Sequence, residues 1–379
     1  MNVPFLDLAA QDREVGREVQ AAVAEVLASH AFVLGPHVER FEAAMAAYCG
    51  VPHVIGVASG TDALFLALGA LGIGPGVSVL TTPFSFWATA STVVRLGARP
   101  LFADIDPATF NLDPAAAEAT LAATRERVVG FLPVHLFGRL APMGALAALA
   151  ERRGLWMVED AAQAIGARAD GTSAGAFGRA GCLSFYPTKN LGALGDGGMV
   201  LTRDAAVAAH VRQERHQGHS STPYVHASLG MCSRLDAVQA AALGAKLPRL
   251  DGWNARRRTL AARYTHLLEH AGLAGVPDAP LVLPAAAGDA HVFHQYVVRA
   301  RDRDALQTHL AAAGIGAQVY YRMPLHLQPP LAAFGFRCGA FPEAERAAAE
   351  VLALPLYPEL GERAVETVVE AVAAFYRRT

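Results

Sequence analysis

The sequence predicts an α/β fold. A three-layer, mostly parallel sheet covered by helices on both faces is followed by a smaller C-terminal α/β domain. Two observations carry this. In the first half of the chain, stretches of helical apolar periodicity alternate with short runs that are apolar throughout, and strands of that kind belong to sheets buried on both faces. After Arg234 the pattern changes: two consecutive helical stretches and a Pro/Ala/Gly connector precede a shorter strand–helix–strand set. The 379 residues, 53% hydrophobic and 17% charged, suffice for more than one domain. The expected division is a large domain with the N-terminal helices at 1–248 and a small one at 249–379.

In chain order, residues 19–28 and 38–48 show helical spacing. Ser59-Gly60-Thr61-Asp62 precedes an apolar run and reads as a helix start, broken by Gly74-Pro75-Gly76. Strands are expected at 77–80, 100–103, 128–132 and 155–158, the last ending in Glu159-Asp160. Helices are expected between them at 86–96, 114–123 and 142–152. Two more strands, 181–185 and 198–202, flank a glycine-rich loop; a helix at 204–214 and a polar loop at 216–228 follow. Helices at 235–247 and 253–270 lead through the connector 277–288 to a strand at 292–298, a helix at 303–313, a strand near 317–321 and a last helix from about Ala364.

Composition excludes some functions. A formal net charge of −2 leaves no basic field for nucleic acid. The longest basic run, Arg256-Arg257-Arg258, reads as the wet face of a helix. Cys49, Cys182, Cys232 and Cys338 lack metal-ligand spacing, so free thiols in a reducing, cytoplasmic compartment and no metal are expected. Residues 1–16 carry Asp7, Asp12 and Glu14 and do not read as a signal peptide. Residues 63–94 contain no charge, but glycine and proline interrupt them, so a helix, a strand and a second helix are expected rather than a membrane span.

The candidate chemistry centres on Lys189, between an apolar run and the glycine-rich loop. A solvated loop lysine fits that setting. So does a buried one, whose lowered pKa frees a neutral amine to attack carbonyls. Asp160 ends an apolar strand, where open α/β sheets bind ligands, and could pair with a protonated ring nitrogen; a helix N-cap is its other reading. Gly60 and Thr61 fit either an anion site at a helix N-terminus or an ordinary cap. Phe86 and Trp87 fit either stacking on a flat ligand or core packing. Gly171-Thr172-Ser173-Ala174-Gly175 matches a nucleophile elbow by letters only, because no apolar strand leads in; a surface hairpin is expected. His37-Val38-Glu39 matches half of a zinc deaminase signature without its cysteines.

Taken together, several ordered motifs resemble the DegT/DnrJ/EryC1/StrS family of sugar aminotransferases, type I enzymes of the aspartate aminotransferase fold that use pyridoxal 5'-phosphate (PLP). They are Phe32-Val33-Leu34-Gly35-Pro36, Ser59 to Leu64, Pro133-Val134-His135-Leu136-Phe137-Gly138, Glu159 to Ala164, Ser184 to Gly192, Ser233-Arg234-Leu235-Asp236 and Pro324 to Pro329. The resemblance covers nearly the whole chain. It implies that Lys189 links covalently to the cofactor and that Asp160 pairs with its ring nitrogen. Gln163 would reach the ring hydroxyl, Phe86 would stack on the ring, and Gly60, Thr61 and Ser184 would hold the phosphate. It further implies a homodimer with shared active sites, an amino acid donor (glutamate), a nucleotide-linked keto sugar as acceptor, and a place in polysaccharide or antibiotic sugar biosynthesis.

The sequence departs from the family at three places. Cys232 replaces the asparagine that reaches the partner subunit's phosphate; a thiol is a weak donor, which leaves that contact to Ser233 or a backbone amide. Ile165 stands where a histidine is frequent, and Gln217-Gly218 where His-Gly is common. Tyr320, Tyr321, Arg322 and His326 are expected either to face the substrate from the small domain or to form a domain seam. Two other readings compete: a dehydratase or deoxygenase on the same fold, disfavoured by the presence of Lys189 and the lack of clustered cysteines, and a non-catalytic regulatory homologue.

Overall fold

The computed structural model describes residues 2–377. Its central sheet contains β1 (His53–Val57), β2 (Ser78–Thr81), β3 (Arg99–Phe102), β4 (Val128–Leu132) and β5 (Trp156–Asp160). A hairpin of β6 (Arg168–Ala169) and β7 (Thr172–Ser173) intervenes, and β8 (Ala180–Ser184) and β9 (Gly198–Thr202) complete the sheet. The spatial order is β1-β9-β8-β5-β4-β2-β3. The pairs from β3 to β8 are parallel, and β9 is antiparallel to both neighbours. The expected mostly parallel sheet is therefore present, with β9 as its reversed strand.

Helices α1 (Leu8–Ser29), α2 (Pro36–Cys49), α3 (Gly60–Ala70), α4 (Ala88–Arg95), α5 (Pro114–Ala123), α6 (Met143–Arg153), α7 (Ala205–Glu214) and α8 (Ala237–Lys246) accompany this sheet. Side-chain alternation makes the three layers. Leu183, Met199 and Leu201 pack into one core with Phe41 and Leu243, while Cys182 and Val200 pack into the opposite core with Leu64 and Val207. Starts follow local chemistry: Asp113 caps α5 by accepting from Ala115 N at 2.8 Å, ahead of Pro114 at the first helical position.

The long helix α9 (Leu250–His270) leads into a second unit. There β10 (Leu281–Val282), β11 (Tyr296–Ala300) and β12 (Val351–Leu354) form a three-stranded antiparallel sheet, joined by α10 (Arg303–Ala312), α11 (Pro342–Glu350) and α12 (Glu362–Tyr376). Its core packs Tyr264, Tyr296, Leu306, Leu354 and Val368. Val3 belongs to that core and bridges to Ile315, so the start of the chain reaches across to the second unit. Among the described residues no helix is long and apolar enough to cross a membrane.

Several elements differ from expectation. The strand expected at 317–321 is a single bridge, Gln318 to Ala353. The strand expected at 292–298 begins only at Tyr296, because His291 to Gln295 turn, with Phe293 at a φ of 44°. β1, β12 and α11 were not expected; α11 is alanine-rich and runs into β12 with no breaking residue at Glu350. The hairpin around Ser173 is present, but Ser173 itself is buried.

Candidate active site

A cavity of about 600 Å³ opens at the C-terminal ends of the central strands. Size does not single it out, since a depression of about 780 Å³ beside Trp156 and Arg203 is larger. Its chemistry does. Gly60, Thr61, Phe86, Asp160, Gln163, Ser184 and Lys189 all line it, although up to 129 positions separate them in the chain. They come from the start of α3, the approach to α4, the end of β5 and the turn after it, the end of β8, and the loop between β8 and β9.

Asp160 is the last residue of β5, and parallel bonds fix its backbone: His135 N donates to its carbonyl at 3.0 Å and its own N–H to Pro133 O at 2.9 Å. Its carboxylate accepts from Thr89 Oγ1 at 2.8 Å and from Ala162 N at 3.3 Å. Ser85 stands behind Thr89 at 2.8 Å, so a hydroxyl chain leads from α4 to the acid. Burial raises the Asp160 pKa, against the pull of those bonds and of Lys189. No helix follows Asp160, so the N-cap reading does not hold: the carboxylate accepts from Ala162 N in a turn, and it lines the cavity.

Lys189 follows a turn in which its N–H donates to Tyr186 O at 2.8 Å. Desolvation lowers its pKa to about 8, and the charge of Asp160 opposes that fall. Lys189 is half-buried and lines the cavity, which argues against the solvated-loop reading. The loop is tied down at its middle. Lys246 Nζ donates to Gly192 O at 2.7 Å, and Asn190 Nδ2 donates to Asn254 Oδ1 at 2.8 Å and to Val292 O at 3.1 Å.

At the opposite side, Ser59 caps α3 by accepting from Asp62 N at 3.0 Å. The first helical amides, Gly60 and Thr61, have no acceptor within the helix. Gly60 is required by close approach: a Cβ there would lie 2.6 Å from Ser184 Cβ. Two backbone N–H groups and the Ser184 hydroxyl therefore converge at the positive end of a helix dipole, a cup for a phosphate-like anion. Phe86 is 56% exposed and tilts 6.2 Å from the Tyr321 ring, so it is not a core residue. Gln163 accepts from Phe137 N at 2.7 Å and donates to Tyr321 Oη at 3.1 Å, which aims its amide across the cavity.

Of the second-unit candidates, Tyr320 and Tyr321 line the cavity. Arg322 and His326 do not: Arg322 binds Asp304 and Gln307, and His326 is buried against Glu345. Cys232 is exposed and accepts from Arg234 at 3.0 Å. Ser233 cannot stand in for it, since its buried hydroxyl accepts from Ala58 N at 3.2 Å and donates to Asp62 at 2.8 Å. Ile165 is a core residue. Sequence reasoning misses His294, which lines the cavity, Thr89, which bonds to Asp160, and Asn254, which bonds to the lysine loop. The four-residue step from Ser85 to Thr89, one helical turn, was the one available signal, for Thr89 alone.

These features define a class: a desolvated lysine facing a buried carboxylate across a cavity, with an anion cup at a helix N-terminus, as a PLP-dependent enzyme of this fold requires. The comparisons are specific. The profile of the DegT/DnrJ/EryC1/StrS aminotransferase family matches residues 13–373, and the chain belongs to that family. It is 50% identical to the "Pleiotropic regulatory protein" of Geobacillus stearothermophilus, over 100% of this chain and 99% of that one. It is 44% identical to a dTDP-3-amino-3,4,6-trideoxy-alpha-D-glucose transaminase of Streptomyces venezuelae, over 99% and 97%. The crystal structure of S. venezuelae DesV in complex with a ketimine intermediate superposes with a TM-score of 0.93 at 44% identity, covering 100% of this chain and 99% of that one. The family is PLP-dependent, and the donor set described above fits that cofactor: an anion cup, a carboxylate for the ring nitrogen and an amine for the aldehyde.

Proposed function

We propose that this protein is a PLP-dependent aminotransferase that moves an amino group from an amino acid, glutamate, to the keto carbon of a nucleotide-linked sugar. The observation that carries the reading is Lys189, held at a pKa of about 8 in the same cavity as Asp160. When bound, the cofactor supplies an electron sink for the carbanion at the substrate carbon. The chain supplies the rest. Gly60 N, Thr61 N and Ser184 Oγ bind the phosphate. Thr89 and Ala162 N hold Asp160 toward the ring nitrogen, and a positive ring offsets the cost of burying that carboxylate. Gln163, steadied by Phe137 N, reaches the ring hydroxyl, and Phe86 covers one face of the ring. Lys189 Nζ would hold the cofactor's aldehyde and, when free, would move a proton at the substrate carbon.

The same reading supports a homodimer. Lys189 is the one cation among the residues lining the cavity, while an amino acid donor and a nucleotide diphosphate both bring anions. Cations from a second copy would meet them. Phe32, Val33, Tyr186, Leu194 and the fully exposed Leu229 offer apolar surface for such a partner. The free state of all four cysteines supports a cytoplasmic setting. For a division between 1–248 and 249–379, the core from Leu260 to Phe375 is the support, while Leu250, Trp253 and Val292 pack with the first unit and Val3 with the second.

Purified protein given PLP should develop visible absorbance that Lys189→Ala abolishes. Glutamate should then bleach the band and yield 2-oxoglutarate. A wild type that stays colourless overturns the reading; one that colours but yields no 2-oxo acid from any amino acid favours a regulatory role of the kind the Geobacillus relative's name states. A screen of nucleotide ketosugars, with an inositol-type ketone alongside, identifies the acceptor.

A further inference from the structure

We propose that Asn254, on α9, is a positioning residue that fixes Lys189 relative to Asp160. The inference rests on the reading of Lys189 as the reacting amine. Asn254 is 2% exposed and reaches two segments at once. Its Oδ1 accepts from Asn190 Nδ2 at 2.8 Å, next to Lys189 in the chain. Its Nδ2 donates to Ile165 O at 3.1 Å, in the turn that follows Asp160 and Gln163. One amide therefore ties the segment bearing the amine to the segment bearing the acid and the ring-facing glutamine.

The surroundings are shaped around that amide. Gly166 has a φ of 87°, and a Cβ there would lie 2.4 Å from Asn254 Nδ2 and 2.8 Å from Tyr48 Oη, so a side chain at 166 would push the amide aside. Asn190 uses its remaining groups on the second unit, with Nδ2 to Val292 O at 3.1 Å and Oδ1 to His294 Nδ1 at 3.2 Å. One turn along α9, buried Arg257 donates to the carbonyls of Phe293, His294 and Leu356. Asn254 and Arg257 thus form a polar spine that docks the second unit onto the lysine loop. Asn254 is its member that bonds to both active-site segments. Removing it leaves Asn190 Nδ2 short of one acceptor and Ile165 O without its donor, so the loop carrying Lys189 can shift and admit water.

The test uses Asn254→Ala and the milder Asn254→Ser, whose hydroxyl is too short to reach both partners. Tyr264→Phe is the control: it deletes a buried bond from the same helix, Tyr264 Oη to Pro355 O at 3.0 Å, without touching the lysine loop. Lys189 is titrated in the cofactor-free protein by pH-dependent acetic anhydride labelling read by mass spectrometry, and PLP capture is followed separately by absorbance. The wild-type midpoint should lie at about 8. Both Asn254 variants should move it upward by about one unit, toward a solvated lysine, and slow PLP capture about 10-fold. Tyr264→Phe should lower the melting temperature and leave midpoint and capture alone. Folded Asn254 variants with the wild-type midpoint and capture rate overturn the inference. A wild type that never captures PLP at Lys189 overturns the underlying reading instead.

Discussion

Glu159 and Asp160 are neighbours at the end of β5, yet the two faces of the strand give them opposite fates. Glu159 points into the protein and is fully saturated. It accepts from His135 Nε2 at 2.8 Å, Gly175 N at 2.8 Å, and Phe177 N and Gly178 N at 2.7 Å each. His135 in turn accepts from Ala141 N at 3.1 Å through Nδ1, which leaves Nε2 as the ring's donor to Glu159. Asp160 points into the cavity, accepts two hydrogen bonds, and carries a pKa raised by burial. A buried acid whose every lone pair is taken holds structure together. A buried acid left partly unsatisfied costs stability and waits for a cation.

Replacing the two acids in turn should separate the roles. Asp160→Asn should lower transamination about 1,000-fold, the scale seen when one preorganised charge contact is deleted, while stability in urea changes by less than about 1 kcal/mol. Its pH dependence has a definite sign. The folded wild type keeps the Asp160 proton to higher pH than the unfolded chain does, so its stability relative to Asp160→Asn should fall as pH rises above about 4. Equal pH profiles for the two proteins would contradict the raised pKa.

Glu159→Ala should do the reverse. Three buried N–H groups and the His135 ring lose their acceptor at once, and the loss of stability should reach about 4 kcal/mol, read as a shift of the urea midpoint. A variant as stable as wild type would remove the distinction between the two acids. The smallest effect sharpens it. With Lys189 at about 8, PLP capture by the cofactor-free protein should rise about tenfold between pH 7 and pH 9 and then level off, since the neutral amine is the reactive form. In Asp160→Asn the midpoint should drop, because the Asp160 charge is what raises it; Glu159→Ala should leave it in place wherever the protein is folded.

Much of this is legible in the sequence. The helix start at Ser59, the helix α5 and the strand β4 have the expected limits, because caps, proline at the first turn and all-apolar runs act over a few residues. β12 was not legible: Val351 to Leu354 continues the apolar spacing of α11, and only pairing with β11 makes it a strand. The exposure of Phe86 was open for a similar reason, since its spacing suits core and cavity alike.

The sequence by itself determined the layered α/β order, the family and the chemical types at the site, because periodicity, capping and ordered motifs are local properties of the chain. Tertiary structure alone decided that Glu159 is saturated by His135 and three backbone N–H groups, how far the Lys189 amine is desolvated, and that Asn254 bonds to Asn190, 64 positions away. Hydrogen bonds and dielectric surroundings depend on which surfaces meet in space, and no spacing along the chain encodes that.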